Sequence, residues 1–200
     1  MINVYKLFHG NDKEDEFLVN RFDLPDFGTF VDIGAGPDGI QGSNSYHFEK
    51  NGWRCLCADA DPRNYKRLKE NRKNVYTGVV SNKLGKVKLN LGNESPDVSG
   101  VYKTQSNGII TEEVDSTTLY DLLVSKRINE IDILSIDTEG SEVDVWESMR
   151  PQYYKPKILV IEFLTQGKVN ESLPAEIEKY GYKFVANVGA NLIFEYDNNH

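Results

Sequence analysis

Two hundred residues, 39% hydrophobic and 27% charged, fit one soluble domain over residues 1–200 with a substantial core. The formal charge of −8 argues against a surface that tracks phosphates, which takes clustered Lys and Arg, so no nucleic-acid partner is expected. No segment approaches the roughly 20 apolar residues of a membrane span, and residues 1–11 lack the apolar core of a signal peptide. Cys55 and Cys57 alternate within an apolar strand, a spacing read here as placing them on opposite faces, with neither a mutual disulfide nor a zinc site. The expected setting is reducing and cytoplasmic, without a membrane partner.

After an N-terminal extension, 1–27, residues 30–38 read F-V-D-I-G-A-G-P-D. Phe30, Val31 and Ile33 suit a buried strand, and Gly34 and Gly36 let the backbone turn sharply and approach a ligand closely. Asp32 needs backbone amides or a ligand amine, because an unpaired carboxylate in a buried strand is costly. A helix over 43–50 follows, then a strand over 53–58, a helix from Pro62 capped by Asp61 to about residue 72, and a strand over 75–80. This alternation predicts a parallel sheet of the α/β class.

The middle predicts two half-exposed strands, 86–91 and 109–114, around a mobile excursion over 93–108 rich in Gly, Ser, Asn and Pro. A helix over 118–127, a core strand over 131–136 and a helix ending at Pro151 come next. The strand over 157–163 carries Glu162, and the tail predicts a helix over 175–180 and two strands, 182–186 and 191–196. Asp32, Asp59 and Asp137 all lie at strand ends, where an open α/β sheet receives its ligands.

Gly34, Gly36 and Gly39 match G-x-G-x-x-G, and Asp59 stands where a ribose diol is gripped. The loop is long for a dinucleotide fingerprint, and Asp32 sits badly beside a pyrophosphate. It sits well beside a cationic amino-acid moiety, which favours S-adenosylmethionine over a nicotinamide cofactor. Taken in order, V-D-I-G-A-G at 31–36, G-S-N-S-Y at 42–46, N-G-W at 51–53, A-D-A-D-P at 58–62 and I-D-I-L-S-I-D-T-E-G-S-E at 131–142 resemble the FkbM-type S-adenosylmethionine-dependent methyltransferases from about residue 29 to 196. The resemblance implies the Rossmann-like class I methyltransferase fold: a mostly parallel seven-stranded sheet with an antiparallel C-terminal hairpin and helices on both faces. It also implies O-methylation of a hydroxyl on a sugar or natural product. One position departs from the family, which often has Asn where Gly36 stands.

On this reading Asp59, with Ala60 beside it, takes the ribose diol, and the backbone of Gly34, Ala35 and Gly36, fixed by Asp32, approaches the methionine part. Ser43 and Asn44 at a helix start hold the cofactor carboxylate, and Val79 and Val80 border adenine. Asp137, then Glu139 and Glu162, are the candidates for the base that activates the acceptor hydroxyl. Asp137 and Glu162 end adjacent strands and together suit Mg²⁺, although a third ligand is wanted. Glu162 fits a buried structural role equally well, and Glu142 reads as a first-turn residue complementing its helix. The rival functions are an inactive nucleotide-binding module that recruits a partner, and an NAD-dependent oxidoreductase. The acceptor is a small molecule contacted from 1–27, 93–108 or 165–174, with Tyr102, Lys103 and Gln105 as pocket or surface. It is approached openly or under a second copy in a homodimer.

Overall fold

A computed structural model describes residues 5, 7–91, 99–101, 110–165 and 167–197. In chain order the elements begin with α1 (Glu14–Arg21), β1 (Thr29–Ile33), α2 (Tyr46–Lys50), β2 (Arg54–Asp59), α3 (Tyr65–Asn71) and β3 (Val75–Thr77). They continue with β4 (Val79–Val80), β5 (Gly85–Leu91), β6 (Ile110–Thr117), α4 (Leu119–Ser125), β7 (Ile133–Ile136), α5 (Glu142–Ser148) and β8 (Ile158–Glu162). The last are β9 (Leu164–Thr165), β10 (Lys168–Val169), α6 (Leu173–Glu178), β11 (Tyr182–Val188) and β12 (Asn191–Tyr196).

Seven strands form the main sheet in the order β3-β2-β1-β7-β8-β12-β11. Strands β3 to β8 in that order run parallel, and β12 runs antiparallel to both of its neighbours. The chain therefore builds outward from β1 to β3 and then crosses back to β7, so strand order reverses between β1 and β7. That switch point is where such sheets open a crevice. Side-chain alternation sends Val31, Ile33, Leu56, Ala58, Leu134, Ile136, Leu159 and Ile161 into one core layer. Phe30, Ile133, Ile158, Val160 and Ile193 enter the other.

Several expectations need correction. Cys55 and Cys57 share one face, both in the second layer, because residues two apart in a strand point the same way; both are buried free thiols. The strand expected over 75–80 breaks at Gly78, where an added Cβ would lie 2.7 Å from the Asp115 carbonyl oxygen. Its second half, β4, pairs instead with β6 in a separate three-stranded sheet, whose other member is β5. Helix α2 begins at Tyr46, not at residue 43, and α3 begins at Tyr65, not Pro62. Asp61 engages the turn before α3, accepting the Arg63 amide at 2.8 Å. The extension contains α1, an element that its sequence did not announce. The excursion over 93–108 lies outside the described residues except for Ser99, Gly100 and Val101, and Tyr102, Lys103 and Gln105 lie outside them too. Among the described residues no helix is long and apolar enough to cross a membrane.

Candidate active site

A cavity of about 390 Å³ opens at the switch point, over the carboxyl ends of β1, β2 and β7. Gly34, Gly36, Asp59, Ala60, Val79, Val80, Asp137 and Glu139 all line it. Backbone bonds set its floor. The Gly34 and Ala35 amides both donate to the Ala58 carbonyl, at 2.9 and 3.0 Å, and the Asp137 amide donates to the Ile33 carbonyl at 2.9 Å. The glycine turn is thus tied to β2 on one side and to the catalytic candidate on the other. Gly36 has φ 80°, and a Cβ there meets nothing nearer than the Gln41 carbonyl oxygen at 3.5 Å. Asn is the side-chain-bearing residue that most readily takes such a backbone, so the Asn expected at this position fits the same turn.

Asp59 ends β2 on the cavity wall and is buried. Its Oδ1 accepts the Asp61 amide at 2.9 Å and the Asn64 Nδ2 at 3.0 Å. Burial is the largest influence on this carboxyl and pushes it up to about 7, against the pull of Asn64 and of the Asp61 and Gly36 amides. A ligand that donates two hydroxyl hydrogens favours the ionised form and draws the carboxyl back down.

Asp32 faces the other way. Its Oδ2 accepts the hydroxyls of Ser43 at 3.0 Å and Ser45 at 2.6 Å. Asn44 donates to the Ser135 hydroxyl at 3.1 Å, and Ala35 is 1% exposed. Asp32, Ala35, Ser43 and Asn44 therefore sit behind the loop and do not line the cavity. The helix start assigned to Ser43 and Asn44 is absent, because α2 begins only at Tyr46 and both side chains are turned inward.

On the β7 side, Asp137, Glu139 and Glu162 bring one carboxylate oxygen each within 4.8 Å of one another. Burial first, then the charges of Glu139 and Glu142, push the Asp137 carboxyl well above the usual range, while a hydrogen bond shared with Glu162 works against that rise. Glu162 is buried in register with Asn191 of β12 and does not itself line the cavity. Glu142 accepts the Thr138 amide at 2.9 Å, the Thr138 hydroxyl at 3.1 Å and the Gly140 amide at 2.9 Å. It is the brace of the loop that follows β7. Glu139 in that loop has φ 57°, a left-handed backbone that a non-glycine residue keeps only where its surroundings impose it.

Among other wall residues, Asn11 and the segment Ser99–Val101 lie in stretches expected to contact the acceptor, whereas Gln41, Arg67, Leu89, Thr138 and Ser141 were not foreseen. The wall residues named here come from six separate stretches of chain, and outside residues 138–141 no local pattern marks them. For Thr138 and Ser141 a signal existed, since both lie in the T-E-G-S-E run already singled out.

The chain matches the model of the methyltransferase FkbM domain over residues 32–184. No curated protein matches it. Among solved structures, a methyltransferase FkbM from Methylobacillus flagellatus KT is similar with a TM-score of 0.56 and 14% identity, over 88% of this chain and 45% of that one. The present chain thus spans less than half the length of that relative. A TehB-like SAM-dependent methyltransferase from Corynebacterium glutamicum ATCC 13032 Kitasato gives a TM-score of 0.50 and 14% identity, over 92% of this chain and 87% of that one. At such identities the likeness is one of fold.

Proposed function

The chain belongs to the FkbM methyltransferase family and has the class I methyltransferase fold, and from that premise we propose that it uses S-adenosylmethionine to methylate a hydroxyl of a sugar or natural-product type small molecule. One observation carries this reading: a single cavity receives an acid from each of the strands flanking β1, the buried Asp59 from the β2 end and the half-buried Asp137 from beyond β7. The first fits a ribose diol. The second fits a base.

The wall suits the cofactor part by part. Asp59 accepts hydroxyl hydrogens, Val79 and Val80 offer buried apolar surface beside Ala60 for adenine, and the Gly34–Gly36 backbone lets the methionine part come close. When bound, the cofactor supplies a methyl group on a positively charged sulfur. The chain's own work is to align the acceptor oxygen and to take its proton. Asp137 does the latter with a proton affinity raised by burial, and Glu142 keeps the Thr138–Gly140 backbone fixed meanwhile. The wall carries Asp38, Asp59, Asp61, Asp137 and Glu139 but, of cationic side chains, Arg67, an acidic excess that suits a neutral or cationic acceptor better than a phosphorylated one.

Calorimetry with S-adenosylmethionine and its demethylated product tests the cofactor. Asp59→Ala is expected to weaken binding about 10- to 100-fold, the loss of hydrogen bonds to a charged acceptor. Absence of binding by the native protein would overturn the assignment. Binding without methyl transfer to any of a broad set of labelled-methyl acceptors favours a nucleotide-binding module, and tighter binding of NAD favours an oxidoreductase.

A divalent cation is a second reading, favoured by Glu139 joining Asp137 and Glu162 as the third oxygen ligand that Mg²⁺ wants. Asp137 and Glu162 lie close enough to serve instead as an acid pair that shares one proton and needs no cation. Chelator treatment is therefore expected to leave turnover unchanged. A loss restored by Mg²⁺ would favour the cation instead.

A further inference from the structure

Arg72 ends α3 as the C-cap residue, and its side chain is fully buried. Charged side chains are rarely buried without partners, and this one has four acceptors. Its Nε donates to Glu49 Oε2 at 2.8 Å, its Nη1 to the Gly39 carbonyl at 2.7 Å and to Ser43 Oγ at 3.0 Å, and its Nη2 to Ser45 Oγ at 2.7 Å. The two serine hydroxyls pass their own hydrogens on to Asp32 Oδ2. Arg72 and Asp32 thus form an ion pair bridged by Ser43 and Ser45. The neighbouring Asn71 donates to the Asp38 carbonyl at 2.9 Å. An added Cβ on Gly39 would fall 2.8 Å from Arg72 Cγ, so the loop lies directly on the arginine stem.

The same loop has its other face on the cavity, through Gly36, Pro37, Asp38, Gln41 and Gly42. We infer that Arg72 is a positioning residue that sets the cofactor loop from behind: by gripping the Gly39 carbonyl and the serines that follow, it fixes where the loop backbone meets the methionine part of the cofactor. Arg72 itself does not line the cavity. Its planar fork explains why arginine stands here, since one lysine nitrogen cannot serve four acceptors set around a plane. What the loop holds rests on the cofactor reading above; how the loop is held is measurable without ligand.

The test uses the full chain with Arg72→Lys, and with the triple substitution Asp32→Asn, Glu49→Gln, Arg72→Met, which removes the three buried charges of the cluster together. In free Arg72→Lys, amide hydrogen exchange over residues 36–42 is expected to rise about tenfold or more while β1 and β7 stay protected. KM for S-adenosylmethionine is expected to rise about tenfold, with kcat at saturation falling less than about threefold. Unchanged loop exchange and unchanged KM in a folded variant overturn the assignment. So does failure of both variants to unfold cooperatively, which would make Arg72 a general support of the fold. If the native protein binds no S-adenosylmethionine, the cofactor reading falls, and the exchange measurement still decides the role of Arg72.

Discussion

Replacing Asp137 by Asn is expected to lower turnover about 10²- to 10⁴-fold while affinity for S-adenosylmethionine stays within a few-fold of the native value, the signature of a lost general base. The amide has nearly the shape of the carboxyl but cannot take the acceptor proton. The loop should stay in place, because Glu142, not Asp137, holds the Thr138 and Gly140 amides. The same substitution has a signed effect on stability. The Asp137 carboxyl is raised in the folded protein, with burial the largest cause and the Glu139 charge next. An acid raised on folding contributes stability below its unfolded value of about 3.9, and that contribution is lost as pH rises through the folded value. Asn removes the penalty. Asp137→Asn should therefore melt roughly 2–8 °C higher than the native protein near pH 8, a gain of about 1–2 kcal/mol, with little difference near pH 4. Native turnover should fall as pH drops through the raised value. A rate loss below about tenfold would move the base to Glu139 or Glu162.

The parts of this arrangement that were legible in the sequence are those carried by short-range pattern. Apolar runs ending in an acid located β1, β2 and β7, and therefore Asp59 and Asp137, because alternation and turn chemistry are local properties. Ser43 and Asn44 were misplaced by the same kind of reasoning. Polar residues before a helical run resemble caps, but here Asp32 and Ser135, 11 and 91 residues away, claim their side chains. Arg72 was invisible for a related reason. In a helix reading L-K-E-N-R-K it passes for one more solvated charge, and only the packing of α3 against the glycine loop reveals that it is buried. Gly78 shows the limit for strands: V-Y-T-G-V-V reads as one run, and the split appears only because β4 finds β6, whose sequence lies more than thirty residues on.

Gly34→Ala is expected to be among the most damaging single substitutions available to this chain. A Cβ at Gly34 would lie 1.6 Å from the Asp137 carbonyl oxygen and 2.7 Å from its carbonyl carbon, both backbone atoms that cannot swing aside. To make room, the β1 and β7 ends must part by more than an ångström, yet they are joined by the Asp137 amide to Ile33 carbonyl bond. The residue also has φ 92°, which strains any L side chain. Steric and conformational costs together should lower stability by about 3–5 kcal/mol. Gly85→Ala separates the two contributions. Gly85 has a similar φ of 96°, but a Cβ there meets nothing within 4 Å, so its substitution should cost about 1 kcal/mol. Denaturant midpoints for both variants give the comparison, and calorimetry with S-adenosylmethionine shows whether any folded Gly34→Ala still receives the cofactor. A Gly34→Ala protein as stable as Gly85→Ala would mean that the two strand ends do not approach this closely. With that contact gone, the shared wall between the glycine turn and Asp137, on which the active site depends, would go as well.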